Sequence, residues 1–189
     1  KHAFTPTHFE SHVVSINDKT LNAVRERYRR YHKKYSPFFM LTIAEGAAVT
    51  PKLEEMYFQL HVKDAGGLFR SRESYTKQAD TARGGEAFYV VATHRESGVI
   101  VGMLLVSLYK NAAYDGSVAV DPDFASQYVS HLLKWRVIEE LQKRKVPTYE
   151  LGQKADPSSS TKKELGITHF KEGWSRDRTR SIWKIEKLF

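Results

Sequence analysis

The chain has 189 residues, a formal net charge of +8, 41% hydrophobic and 28% charged residues, and no cysteine. That length can bury one ordinary core, and the missing thiols exclude a disulfide scaffold and cysteine-ligated zinc while fitting a reducing cytoplasm. No apolar run approaches the roughly 18 residues of a membrane span, and the positive excess points to a polyanionic partner or serves solubility alone.

In chain order, "ESHVVSIN" (10–17) alternates as a short strand. "DKTLNAVRERYRRYHKKY" (18–35) sets Leu21, Val24, Tyr28, Tyr31 and Tyr35 on one face of a helix, which Ser36-Pro37 ends. "FFMLTIAEG" (38–46) reads as a buried strand. Thr50-Pro51 is a helix start, with Glu54 and Glu55 at its positive end, and that helix runs to about Lys63. After Gly66-Gly67 a second helix is expected, capped by Ser71 and stopped at Gly84-Gly85. Three strands, 86–94, 99–109 and 113–120, follow with short polar turns, as an antiparallel meander.

Beyond Asp121-Pro122-Asp123 the longest helix is predicted over 124–145, with Phe124, Tyr128, Leu132, Trp135, Ile138 and Leu141 inward. "TYELG" (148–152) is a strand, "QKADPSSST" a loop and "KKELG" a helical turn. "ITHFKEG" and "RSIWKIEKL" read as two closing strands. The fold class is therefore α/β, a mixed and largely antiparallel twisted sheet flanked by helices, in one domain over 1–189. The chain opens on Lys1 and not on methionine, as a fragment of a longer protein would.

There is no P-loop, no G-x-G-x-x-G, no G-x-S-x-G and no H-E-x-x-H. His8 and His12 stand at helical metal spacing without a third ligand, so no metal site is expected. His169 is a general base by type, but alternation on a strand turns it outward and Phe170 inward. Arg25, Arg27, Arg29, Arg30, Lys33 and Lys34 share one helix. They read either as its solvated face or as a phosphate-binding stripe, with Arg25, Arg29 and Arg30 on the outside and the tyrosines in the core. Arg70 and Arg72, just before a helix start, are either a solvated loop or a fork for a substrate anion.

Three stretches together resemble the FemAB-like transferases of the GNAT acyltransferase superfamily: "RERYRRYHKK", "AAYDGSVA", and "KELGITHFK", which is similar to the signature Lys-x-x-Gly-Ile, two spacers, Phe-Lys. The resemblance spans residues 13–175. It implies transfer of an acyl or aminoacyl group from an activated ester to an amine acceptor, with no resident cofactor. The donor would enter as co-substrate: aminoacyl-tRNA, with a peptidoglycan precursor as acceptor, or acyl-CoA or an acyl carrier protein. Carried over, Lys171 becomes the catalytic cation near the reacting carbonyl, with Phe170, Tyr114 and Gly116 lining the substrate cleft.

Two departures stand out. The family pairs two such domains, so a second acyltransferase-like domain or a second copy of the chain is an expected partner. Trp174-Ser175 also replaces the usual Phe-Gly. On the GNAT side, "VDPDFASQYVS" lacks the glycines of the pyrophosphate loop and carries two carboxylates, which argues against CoA. Three readings remain: a FemAB-like transferase, a CoA-dependent acetyltransferase, and a non-catalytic RNA-binding or interaction domain. Stabilisation by CoA would mark the second, and salt-sensitive tRNA binding without turnover the third.

Overall fold

A computed structural model describes residues 4–68, 70–176 and 178–187. In chain order they form β1 (Phe4–Ser15), α1 (Thr20–Ala23), α2 (Glu26–Tyr35), β2 (Phe39–Ala44), α3 (Pro51–Ala65), α4 (Arg72–Arg83) and β3 (Ala87–His94). Then follow β4 (Ile100–Tyr109), β5 (Ala112–Val120), α5 (Val129–Arg144), β6 (Thr148–Gln153), α6 (Lys162–Ser175) and β7 (Thr179–Lys187). The strands make one seven-stranded sheet in the order β2-β3-β4-β5-β6-β1-β7.

Both faces of the sheet are covered, which explains the unbroken apolar runs in the meander. Along β3, Phe88, Val90 and Ala92 enter a core shared with α2 and α5, while Ala87, Tyr89 and Val91 enter a second core under α3 and α4. Alternation buries every one of these six residues, so the strand cannot show a polar face. The expected meander is present, and Thr50 caps α3 by accepting from the Leu53 amide at 3.2 Å. Ser71 stands at the N-cap of α4, but its side chain makes no capping bond.

All neighbouring strands are antiparallel except β5 and β6, which pair in parallel only at Ala112–Thr148, Ala113–Tyr149 and Tyr114–Glu150. Beyond Tyr114 the two strands part. Immediately after that point β5 bulges: Val106 pairs with Asp115 and Leu105 with Ser117, leaving Gly116 as the extra residue. The bulge reverses the faces of the strand. Ala113 lies in the α5 core, yet Ala119, six residues on, lies in the α3 core.

Three expectations are corrected. The helix expected over 18–35 is broken at Val24 and Arg25, whose ψ angles of 148° and 131° are non-helical, because the Arg25 amide is claimed by the Gly173 carbonyl at 2.9 Å. The helix expected from 124 starts at Val129, after a 3-10 turn over Pro122–Gln127 and a left-handed Tyr128 (φ 55°). Most consequentially, "ITHFKEG" is not a strand. Residues 162–175 form one helix, opened by a capping box in which Glu164 N–H donates to the Thr161 hydroxyl at 3.3 Å and Thr161 N–H to the Glu164 carboxylate at 2.7 Å. Lys171 and Phe170 therefore sit on α6. "RSIWKIEKL" is a strand, within β7.

Helix α6 reaches the sheet because Gly173 lets Tyr28 lie against its backbone. A Cβ at Gly173 would stand 2.1 Å from Tyr28 Cε2 and 2.4 Å from Cζ, and the Tyr28 hydroxyl donates to the Phe170 carbonyl at 3.1 Å. Tyr28 is only 2% exposed and cannot swing away. Gly173→Ala should therefore cost about 1–3 kcal/mol of stability in equilibrium denaturation, the usual range for overpacking. Unchanged stability would show that α6 does not depend on this contact.

Candidate active site

The parting of β5 and β6 carries a network that sequence reasoning did not find. Lys134 of α5 donates to Asp115 Oδ2 at 2.5 Å, the Tyr149 hydroxyl of β6 donates to Asp115 Oδ1 at 2.7 Å, and Lys134 reaches the Tyr149 oxygen at 3.2 Å. Lys134 is 3% exposed. Burial pulls its ammonium below the ordinary lysine range against the opposing pull of Asp115, and burial with the Asp115 charge pushes the Tyr149 phenol well up. One carboxylate thus ties a helix to both strands at the point where they separate.

Lys171 reaches into the parting from α6. It passes Gly152, whose φ of +85° suits glycine, and Lys171 Nζ and the Tyr114 hydroxyl lie 3.4 and 3.5 Å from where a Cβ there would stand. A side chain at 152 would fill the space the two share. Lys171 donates to the Gln153 carbonyl at 3.0 Å. Its ammonium is lowered chiefly by burial, with Lys134 adding to the effect and Asp115 opposing it. Among the described residues it has no carboxylate partner at ion-pair distance. A pocket of about 240 Å³ opens beside it, lined by Gln153, Ala155, Ser160, Glu164, Ile167 and Thr168.

The structure gathers some of the expected residues and separates others. Lys171 and Tyr114 converge at Gly152, and Gly116 forms the bulge just beyond. Phe170 does not share the Lys171 pocket. One residue apart on a helix, it turns instead toward α2 and α5, with its ring centroid 4.8 Å from His131 and 5.9 Å from Tyr28. His169 is exposed, as expected, though on a helix.

Arg72 is ion-paired with Glu55 and lies over the Phe58 ring at 4.4 Å, so it is not free to form an anion fork. Arg70 is exposed on the α3 side, where its charge bears on His61. The outer stripe is also discontinuous. Arg29 donates to the Asn22 carbonyl at 2.6 Å and Arg30 lies 3.8 Å from Glu26, while Arg25 stands at the helix break. Nor are Asp121 and Asp123 both open charges: Lys63 Nζ bridges them at 2.6 and 2.8 Å and offsets one of the two negative charges at that turn.

On the α3 face, past the bulge, Ser117 Oγ lies 2.5 Å from the Tyr57 hydroxyl and 3.2 Å from His61 Nε2. Burial and the Arg70 charge lower His61 to about 4, so it is neutral at ordinary pH. Among the described residues no group of three or more His, Cys, Asp or Glu could hold a metal, and no helix is long and apolar enough to cross a membrane.

Two strands that part beside a bulge, with helices on both faces, are a specific geometry, and residues 18–172 match the family model of the acetyltransferase (GNAT) domain. The chain belongs to the GNAT family. Among solved structures this GNAT domain is similar to FemX, with a TM-score of 0.70 at 14% identity over 91% of this chain and 59% of that one. It is also similar to L-PGS from Bacillus licheniformis (TM-score 0.65, 12% identity, 95% of this chain and 61% of that one). A tandem GNAT protein from the clavulanic acid biosynthesis pathway gives 0.59 at 17% identity, over 96% of this chain and 53% of that one. At these identities the likeness carries the fold, and the chain spans about three-fifths of FemX and of L-PGS. No curated protein sequence matches it.

His131, one turn before Lys134 on α5, is lowered to about 4 by burial and by the charges of Arg27 and Lys134. Its folded value lies below the unfolded value of about 6.5, so the unfolded chain binds more protons between these limits. The stability this group contributes is fully present above about pH 6.5 and is lost as the pH falls toward 4. His131→Phe keeps the ring contacts and should lose less melting temperature than the wild type between pH 6.5 and 4. An identical acid slope in the two proteins would contradict the assignment.

Proposed function

We propose that this GNAT domain transfers an acyl or aminoacyl group from an activated ester donor to an amine, with Lys171 as the cation at the reacting carbonyl. The observation that carries the reading is the position of Lys171: half-buried at the parting of β5 and β6, beside Gly152, bonded to one neutral carbonyl and to no carboxylate among the described residues.

The chemistry needs little else. A neutral amine attacks the ester carbonyl, negative charge grows on its oxygen, and the Lys171 ammonium, exchanging the Gln153 carbonyl for that oxygen, stabilises it where water is scarce. The tetrahedral adduct then expels the alcohol, and the amine proton leaves with it or to solvent. Because burial weakens the hold of Lys171 on its protons, it is also a stronger hydrogen-bond donor than an exposed lysine. Tyr114, across Gly152, positions the donor, and Gly116 leaves backbone exposed at the bulge.

An aminoacyl-tRNA donor, with a cell-wall peptidoglycan precursor as acceptor, is the reading favoured by the "KELGITHFK" resemblance and supported by the likeness to FemX. Acyl-CoA is the second reading, supported by the family match. It is disfavoured by the turn before α5, which offers a glycine-free 3-10 segment and a left-handed tyrosine where a phosphate loop would be. Under the first reading the domain works in the cytoplasm, beside a second acyltransferase-like domain or a second copy of the chain.

Lys171→Met keeps the aliphatic stem and removes the charge. In transfer assays with aminoacyl-tRNA or acyl-CoA the rate should fall on the order of a hundredfold, about 3 kcal/mol of transition-state stabilisation, with melting temperature and donor affinity little changed. Full turnover by this variant would remove Lys171 from the reaction.

A further inference from the structure

The sheet has two outer strands, β7 and β2. Such edges template pairing with other chains unless charge, proline or a bulge blunts them. The β7 sequence, TRSIWKIEK, is rich in charge. Strand β2, FMLTIA, has six residues and none of these guards: no charge, no proline, and an unshifted register against β3. Two large apolar side chains beside it face solvent, Phe38 at 52% exposure and Met40 at 45%. Packing within one chain does not account for them.

The Arg95 amide donates to the Phe38 carbonyl at 2.9 Å, which fixes the hydrogen-bond phase of β2, and the register continues through Met40–Thr93, Thr42–Val91 and Ala44–Tyr89. Antiparallel pairs alternate. Met40, Thr42 and Ala44 therefore use their backbone groups on β3, and Phe39, Leu41 and Ile43 turn theirs outward. At its two ends the outward row is closed from within. The Phe39 amide donates to the Ser36 carbonyl, and the carbonyl of Glu45, still extended, accepts from the Ala48 amide at 3.1 Å. Between these ends the amides and carbonyls of Leu41 and Ile43, the Phe39 carbonyl and the Glu45 amide have no backbone partner among the described residues.

We propose that β2 pairs antiparallel with β2 of a second copy of this chain, about a two-fold axis at Thr42. In that register Leu41 exchanges both backbone bonds with the partner's Ile43, and the Phe39 carbonyl accepts from the partner's Glu45 amide. The remaining couple, the Phe39 amide and the partner's Glu45 carbonyl, are the two groups already satisfied within each chain. An axis at Leu41 instead would set the Ile43 carbonyl against a Phe39 amide that is already used. On the α3 and α4 face Thr42 then meets itself and Met40 lies against the small Ala44, while on the α5 face Leu41 meets Ile43. A foreign edge would need the same gaps at the same spacing; a second copy has them by symmetry. The pairing leaves only the charged β7 strands outermost, so the assembly closes as a dimer. Strands β3 and β4 separate this edge from the parting of β5 and β6, so both clefts stay open and the inference is independent of the transfer reading. Such a strand falls short of the roughly 20–30 residues a side of a standard interface, which sets the expected affinity on the order of ten micromolar.

Sedimentation velocity on the full chain, from about 1 to about 200 µM, should show a monomer–dimer equilibrium. Thr42 is exposed, so Thr42→Lys and Thr42→Glu should keep a melting temperature close to that of the wild type. Each sets like charges opposite each other at the axis and should weaken association at least about tenfold. Mixing the two variants should restore a dimer containing one of each, which requires residue 42 to face its own copy. Thr42→Cys checks the geometry separately. Facing residues whose backbone groups point away from each other stand roughly 4.5 Å apart, within reach of a disulfide, and the chain has no other cysteine. This variant should oxidise to a covalent dimer, while Lys77→Cys, exposed on α4, should not. A wild type that stays monomeric across this range, a Thr42→Lys variant that dimerises as well as the wild type, or mixed variants that fail to associate would each overturn the proposal.

Discussion

The Asp115 carboxylate, held between Lys134 and Tyr149, is the contact on which the cleft depends. A sheet that parts in mid-strand gives up ladder hydrogen bonds on both edges, and something must fix where the parting begins. Here a buried charge does so, with each oxygen of Asp115 taken by a different element. Removing one partner of such a pair typically costs about 3–5 kcal/mol, because the other charge stays buried and uncompensated. The cost makes the geometry stiff, and a stiff parting is what allows one lysine from α6 to be aimed across Gly152.

The bulge at Gly116 acts on the same strand a step later. By reversing the faces of β5 it sends Asp115 toward α5 and Ser117 toward α3, so the cleft has chemically different sides. The α5 and α6 side is cationic and aromatic, with Lys171, Arg25, Arg27 and the Tyr31–Tyr128 stack. The α3 side offers the neutral His61, Ser117 and Tyr57. Under the proposed transfer, a donor bearing phosphate suits the first side.

The meander was legible because its turns are polar and its strands are apolar on both faces. The start of α3 was legible because Thr50-Pro51 is a local signal. The helix at 162–175 was misread although its start was written in the chain: Thr161 and Glu164 have the spacing of a capping box, but the β-branched and aromatic residues between Gly166 and Gly173 suggested a strand. The break at Val24 and Arg25 has no local signal, since the bond that makes it comes from Gly173 on another element. The Asp115–Lys134–Tyr149 network was hidden for a related reason. Only the bulge and the strand register bring the three together, although a lysine on the inward face of α5, between Leu133 and Trp135, is the one mark the sequence does carry. Lys171 was found through the resemblance, and its setting was not: the lysine arrives from a helix, and its neighbour Phe170 serves a different pocket.

The central claim is that the reacting carbonyl sits at the parting of β5 and β6 against Lys171. The most direct test is a crystal structure with a non-reacting donor analogue, an amide-linked aminoacyl adenosine phosphate or a non-cleavable acyl-CoA. The account predicts the analogue's carbonyl oxygen beside Gly152, about 3 Å from Lys171 Nζ, with the Gln153 carbonyl released. An analogue whose carbonyl lies on the α3 face near Ser117 and His61, with Lys171 still bonded to Gln153, would contradict it.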